Sequence, residues 1–175
     1  MTILIIVLVI IAIPFIIALF VKKEYKVVRE VVIHKSVTEV FDYIKHLKNQ
    51  DSYSKWAMMD PNMKKTFTGT DAKVGFISAW ESEDKNVGVG EQEIIKITEN
   101  ERIEFELRFH KPFKAVHLAY MTTEKISEDQ TKVQWGFEGD MKYPMNLMLL
   151  FMNFDKMIGG DLETGLSRLK VNLES

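Results

Sequence analysis

Residues Thr2 to Val21 carry no charged side chain and consist almost wholly of Ile, Leu, Val, Phe and Ala. This run constrains the chain more than any other feature. The hydrocarbon core of a bilayer is about 30 Å thick, and a helix needs roughly 20 apolar residues to cross it. In lipid the backbone can satisfy its own polar groups only as a helix. The run therefore predicts a transmembrane helix over residues 2–21, and such helices tolerate an internal proline such as Pro14. A cleaved secretory signal would need a basic segment before the run and a small-residue cleavage site after it. No Lys or Arg precedes the run, and Ala18-Leu19-Phe20-Val21-Lys22-Lys23 offers no such site. A buried core helix fits poorly, since no face of the segment is polar. Lys22, Lys23, Lys26 and Arg29 follow directly. Positive charge stays on the cytoplasmic side, which predicts a single-pass membrane protein with its C-terminal domain in the cytoplasm.

The expected division is an anchor over residues 1–23 and one domain over residues 24–175. The chain has 23 Lys and Arg against 25 Asp and Glu, a formal net charge of −2. A nucleic-acid binder would show a basic excess, so none is expected as a partner. There is no cysteine, which excludes disulfides, Cys-ligated zinc and thiol catalysis. The four histidines show no H-E-x-x-H or related spacing, so no metal site is expected. No P-loop, G-x-G-x-x-G or G-x-S-x-G motif is present, and no cofactor is implied.

Tyr25 to His34 is rich in Val and Ile and predicts a strand. Ser36-Val37-Thr38-Glu39 has the pattern of a capping box, and the helix it opens carries Val40, Phe41, Ile44 and Leu47 at helical spacing. Alternating segments separated by polar turns follow, clearest in Ile103-Glu104-Phe105-Glu106-Leu107 and Val133-Gln134-Trp135. A long helix is expected from about Pro144 to about Asn172, its apolar stripe including Leu147, Phe151, Phe154, Leu162, Leu166 and Leu169. The pair Gly159-Gly160 is expected to interrupt it. The order strand, helix, antiparallel strands, long helix implies an α+β domain.

Val32 to Ile44, Trp56, Gly88-Val89-Gly90, Glu101-Arg102-Ile103, Thr131 to Trp135 and Gly165-Leu166 together resemble a START-like domain of the SRPBCC superfamily, which includes polyketide cyclases and lipid-transport proteins. The resemblance runs from about Tyr25 to the end. It implies the helix-grip fold, a curved antiparallel sheet wrapped around a long C-terminal helix, with a hydrophobic small molecule held between them. Its motifs identify a fold and not a ligand.

Strand parity predicts the wall of that cavity. If Phe109 opposes Val116, Phe105 opposes Tyr120 and Ile95 opposes Phe105, then Phe76, Ser78 and Trp80 face inward together with Glu91 and Glu93. Phe105, Leu107, Tyr120, Thr122, Trp135 and Phe137 join them, and Trp56, Phe151 and Phe154 complete the expected pocket. Such a site is mostly apolar with a few polar anchors. A register slip of one residue would turn both glutamates to solvent. Two functions follow. One is a membrane-anchored binding module for a lipid, polyketide or isoprenoid-like molecule. The other is a cyclase- or hydrolase-type enzyme in which Glu91 is the general acid or base, with Tyr120 or Ser78 orienting substrate. No catalytic constellation is visible, which favours the first.

Overall fold

The computed structural model describes residues 2–175, the side chains of residues 2 and 4–9 excepted. Helix α1 (Thr2–Phe20) leads into strand β1 (Glu24–Ile33), helix α2 (Val37–Lys45), a 3₁₀ turn (Leu47–Ser52) and the short helix α3 (Lys55–Met59). Six strands follow: β2 (Lys64–Thr68), β3 (Ile77–Glu81), β4 (Val89–Thr98), β5 (Arg102–Lys111), β6 (Ala115–Lys125) and β7 (Thr131–Asp140). A second 3₁₀ turn (Met145–Leu150) and helix α4 (Phe154–Glu174) close the chain. The strands form one 7-stranded antiparallel sheet in the order β1-β7-β6-β5-β4-β3-β2. This is the expected α+β helix-grip arrangement.

No helix among the described residues is long and apolar enough to cross a membrane. The span expected over residues 2–21 falls in part on side chains outside that description.

One face of the sheet carries Ile94, Ile103, Phe105, Met121, Val133 and Trp135 into a single core with Val40, Phe41 and Ile44 of α2 and Leu162, Leu166 and Leu169 of α4. Ser36 caps α2 by accepting a hydrogen bond from the Glu39 N–H at 3.3 Å. The reciprocal half of the capping box is missing, because the Glu39 carboxylate pairs with Lys35 at 3.0 Å.

The C-terminal helix begins later than expected. Pro144 precedes the 3₁₀ turn, and the helix proper opens at Asn153, whose Oδ1 accepts from the Lys156 N–H at 2.8 Å. Asn is among the strongest N-caps, which accounts for the new start. Gly159 and Gly160 do not interrupt α4. Gly159 serves close approach: a Cβ there would lie 2.1 Å from Arg29 Nη2. That guanidinium reaches Asp155 at 2.9 Å and Glu163 at 2.6 Å, tying β1 to α4.

Three glycines of one helix thus differ in purpose, and two of them predict opposite outcomes. A Cβ at Gly165 would lie 2.7 Å from the Trp135 ring, while one at Gly160 would meet nothing within 4 Å. Ala is favoured over Gly in a helix interior by roughly 0.5–1 kcal/mol. Gly160→Ala should raise unfolding stability by about that amount. Gly165→Ala should lower it by about 1–2 kcal/mol, because overpacking a core costs more than the propensity returns. Urea unfolding of the full-length chain followed by Trp emission checks both signs.

Candidate ligand-binding site

The inner face of the sheet is set by two points of register, and both differ from the parity expected above. Between β5 and β6, Phe109 pairs with Ala115, Leu107 with His117 and Phe105 with Ala119. The expected partners lie one residue further along. A slip of one residue exchanges faces, so His117, Ala119 and Met121 point inward, while Tyr120 and Thr122 lie on the convex face. Tyr120 is buried there by other means. Its ring covers Gly136, where a Cβ would lie 2.2 Å from the ring, and Arg102 sits 3.8 Å above the ring centroid.

In β4, Ile97 opposes Ile103 as expected, but a bulge between Ile94 and Lys96 places Ile94 opposite Phe105. A bulge adds one residue to one strand and changes which side chains face in. Ile94, Gln92 and Gly90 therefore share the inner parity, and Glu91 and Glu93 turn to the convex face. Arg108 gathers them there. Its Nε donates to Glu91 at 2.5 Å, and its Nη1 donates to Glu93 at 2.7 Å and to Glu106 at 2.6 Å. The hydrogen bonds it donates to Glu91, Glu106 and Glu93 raise the Arg108 pKa above the usual guanidinium range.

The remaining expected site residues separate into three groups. Phe76 and Phe105 are fully buried in the core. Trp135 packs edge-on against Tyr53 at 5.8 Å and Trp56 at 6.2 Å, under α4. Ser78 and Trp80 share the inner face with Leu107 by strand alternation. Phe154 lies 4.8 Å from Tyr25, whereas Phe151 projects from the chain between the 3₁₀ turn and α4 and is 81% exposed.

What the inner face does bring together is a strip of half-buried rings. Trp80 meets Phe109 at 5.8 Å, Phe109 meets His117 at 5.8 Å, and His117 meets Phe137 at 5.4 Å between centroids. Phe137 then meets Tyr25 at 6.2 Å, and Tyr25 meets Phe154. The strip spans six strands, from β3 to β1, at the end of the sheet where α1 joins β1, and draws its rings from all of them but β4. Three of its members, Phe109, His117 and Tyr25, were not among the expected site residues. The Trp80 indole N–H donates to the Val87 carbonyl at 3.3 Å. His117 Nδ1 is shielded from solvent and has no hydrogen-bond partner among the described residues. Burial pushes the His117 pKa down and the Tyr25 pKa up, and nearby Asp140 raises both.

The strip ends in a cleft of about 480 Å³ beside edge strand β1. Tyr25, Val27 and Phe154 line it on the domain side, with Phe20 and Val21 from the end of α1 and Leu149, Leu150 and Met152 from the 3₁₀ region. Lys22 and Lys26 stand at its polar side with Glu24 and Asp155. A second cleft of about 390 Å³ is lined by Asp60, Glu81, Glu83 and Asp84 among others, and lacks the aromatic lining of the first. Among the described residues no group of three or more His, Asp or Glu side chains is placed to hold a metal ion.

No protein-family model matches the chain, and no curated protein matches it. Solved structures do. Norcoclaurine synthase from Thalictrum flavum, in complex with dopamine and hydroxybenzaldehyde, aligns with a TM-score of 0.63 at 10% identity over 87% of this chain and 89% of that one. A protein from Chromobacterium violaceum aligns at 0.60 with 12% identity, over 86% of this chain and 97% of that one. The Aha1 protein from Colwellia psychrerythraea aligns at 0.54 with 14% identity, over 86% and 96%. At these identities the likeness establishes a shared fold and nothing further.

The buried imidazole predicts a pH dependence. His117 has its pKa lowered in the folded chain, so the unfolded chain takes up a proton first as pH falls. The contribution is complete above the ordinary histidine value of about 6.5 and declines below it, toward the folded pKa. His117→Leu should flatten the fall in Tm between pH 7.5 and 5.5 relative to the parent chain. Parallel Tm curves for the two proteins would show that His117 is not buried as described.

Proposed function

We propose that this chain is a membrane-anchored module that binds a hydrophobic small molecule of lipid, polyketide or isoprenoid-like chemistry on the concave face of its sheet. The observation that carries this reading is the aromatic strip. Trp80, Phe109, His117, Phe137, Tyr25 and Phe154 pack ring to ring in one row yet are only half covered. Small-molecule sites are typically walls of this composition with few polar groups. Rings of this size dominate contact energies when they are covered. The shielded, unpartnered Nδ1 of His117 adds one polar group that a ligand could satisfy. The shared fold supports the reading, since norcoclaurine synthase was solved with small aromatic molecules bound.

The anchor reading rests on α1. Its 19 residues make a helix about 28 Å long, close to the thickness of a hydrocarbon core. Ile10, Ile11, Ile13, Phe15, Ile16, Ile17, Leu19 and Phe20 are all exposed, and they surround the helix without leaving a polar face. A helix apolar all round needs lipid or protein about it. The lysines that follow favour a cytoplasmic domain in a single-pass arrangement, with residues 1–23 as the anchor and residues 24–175 as the binding domain.

The alternative, a cyclase- or hydrolase-type enzyme with Glu91 as acid or base, has less support. Glu91 stands on the convex face, held by Arg108. Within the concavity, His117 is the group suited to proton transfer, and Tyr25 is the nearest hydroxyl-bearing ring.

Binding of a fluorescent fatty acid to the full-length chain in nanodiscs tests the site, with Trp80→Phe as the control that assigns the Trp80 share of the emission, since Trp56 and Trp135 also emit. Phe109→Ala should weaken binding about 5- to 10-fold, as loss of an aromatic contact worth about 1–1.5 kcal/mol implies. Glu91→Gln should leave it within about twofold, because the side chain faces away. The proposal fails if no apolar ligand shifts Trp80 emission, or if Glu91→Gln weakens binding more than Phe109→Ala does.

A further inference from the structure

We infer that the end of the domain nearest α1 rests on the bilayer surface as a second, peripheral membrane contact, and that the apolar cleft beside β1 opens into the lipid there. This inference rests on the anchor reading above. The decisive contact is Asn146. Its side chain is fully buried, and its Nδ2 donates to the Ala18 carbonyl at 2.7 Å and to the Val21 carbonyl at 3.0 Å. The last carbonyls of a helix have no partner within it. Asn146 supplies one, and in doing so fixes the 3₁₀ turn Met145–Leu150 against the final turn of α1. Ala18 is fully buried by this packing.

That tie sets a depth. The apolar run ends at Val21, so the 3₁₀ turn lies within about 5 Å, along the helix axis, of the point where the anchor leaves hydrocarbon. The turn is built for such a position. Asn146 points inward, Leu147 and Leu149 are half covered, and Met145, Met148, Leu150 and Phe151 are exposed with no polar side chain among them. An exposed apolar patch of this kind marks an interaction surface, and its distance from α1 fits the boundary between headgroups and acyl chains. The topology adds a second segment. β1 begins where β7 ends, with Glu24 opposite Asp140, and Glu138 of β7 lies opposite Leu118 of β6. The β5–β6 turn is therefore at this same end, and its tip, Phe113, is 81% exposed.

Charge fits the same occupant. Lys22, Lys23, Lys111, Lys114 and Lys142 are exposed at this end of the sheet and outnumber the exposed Glu24 and Asp140 beside them. Basic side chains at a membrane surface are attracted to anionic headgroups by about 1 kcal/mol each. Apolar and aromatic side chains interleaved with lysines are the composition of an interfacial segment. The occupant is thus a bilayer containing anionic lipid. The cleft of Phe20, Val21, Tyr25, Leu150 and Phe154 then faces acyl chains at one side and the aromatic strip at the other.

The chain has no cysteine, which makes site-specific labelling direct. Phe113→Cys, Phe151→Cys and Glu128→Cys are each made in the full-length chain and labelled with a nitrobenzoxadiazole dye. Glu128 lies in the β6–β7 turn, at the opposite end, with its side chain 93% exposed. The proteins are reconstituted into vesicles of phosphatidylcholine with phosphatidylglycerol, some carrying a nitroxide near the top of the acyl chains. The labels at 113 and 151 should emit further to the blue and lose emission to the nitroxide, while the label at 128 keeps an aqueous spectrum. Quenching should decline when phosphatidylglycerol is omitted, and equal quenching in both vesicles would overturn the role given to the lysines. If the protein floats with vesicles after alkaline carbonate treatment but all three labels look aqueous, the surface contact is wrong and the anchor stands. If the protein does not float, the anchor reading falls and this inference with it.

Discussion

The helix-grip arrangement depends on one contact, the placement of the Trp135 indole beneath Gly165. A side chain at 165 would overlap the ring, so the glycine lets α4 come down onto β7 and β1. Tyr53 and Trp56 close on the other sides of the same indole. The ion pairs from Arg29 to Asp155 and Glu163 secure the N-terminal half of the helix to β1. Because α4 is drawn toward the β1–β7 side, it does not cover the inner face of β3, β4 and β5 at the end near α1. The half-exposed rings of Trp80, Phe109 and His117 follow from that offset. The concavity is a consequence of where the helix is gripped.

The convex face solves a different problem. Glu91, Glu93, Glu104 and Glu106 crowd two neighbouring strands, and like charges across a sheet are destabilising. Arg108 answers three of them, and Arg102 takes Glu104 at 3.0 Å while lying over Tyr120. The guanidinium fork suits this multiple recognition, which a lysine would not reproduce. Polar pairing on this face frees the inner face to be almost wholly apolar.

Those two faces explain how much could be read in the chain. β5 and β7 alternate cleanly, Ile103-Glu104-Phe105-Glu106 and Val133-Gln134-Trp135, and their facing was legible. β6 was not, because Ala115-Val116-His117-Leu118-Ala119-Tyr120-Met121 is apolar on both faces and its pattern cannot choose between registers. Val116 and Leu118 are in fact exposed, and Tyr120 is buried on the side away from the core. In β4 the adjacent Ile94 and Ile95 offer two equivalent inward residues, and the bulge between Ile94 and Lys96 selects the first. The two glutamates taken for polar anchors were therefore turned outward by a single extra residue, and the β5–β6 register turned His117 in. The later start of α4 was legible in principle, since Asn153 is a strong cap, but the apolar stripe running through Leu147 and Phe151 concealed it. That stripe continues past the cap because those residues face something other than the sheet.

What they face connects the two ends of the chain. A soluble domain gains nothing from presenting Met145, Leu150 and Phe151 to water, and each exposed apolar side chain forgoes about 25 cal/mol per Å² that burial would return. The same residues sit where Asn146 clasps the carbonyls of Ala18 and Val21, so the exposed apolar turn and the apolar helix are one continuous surface. The cleft bounded by Phe20, Leu150, Tyr25 and Phe154 lies on that surface, and Tyr25 and Phe154 are also the last two rings of the inner strip. Under the proposed anchoring, a hydrophobic molecule entering there would pass from acyl chains to aromatic rings with little of its surface exposed to water. Under that same proposal α1 would do more than tether the domain: it would set the orientation in which the concave face is continuous with the membrane.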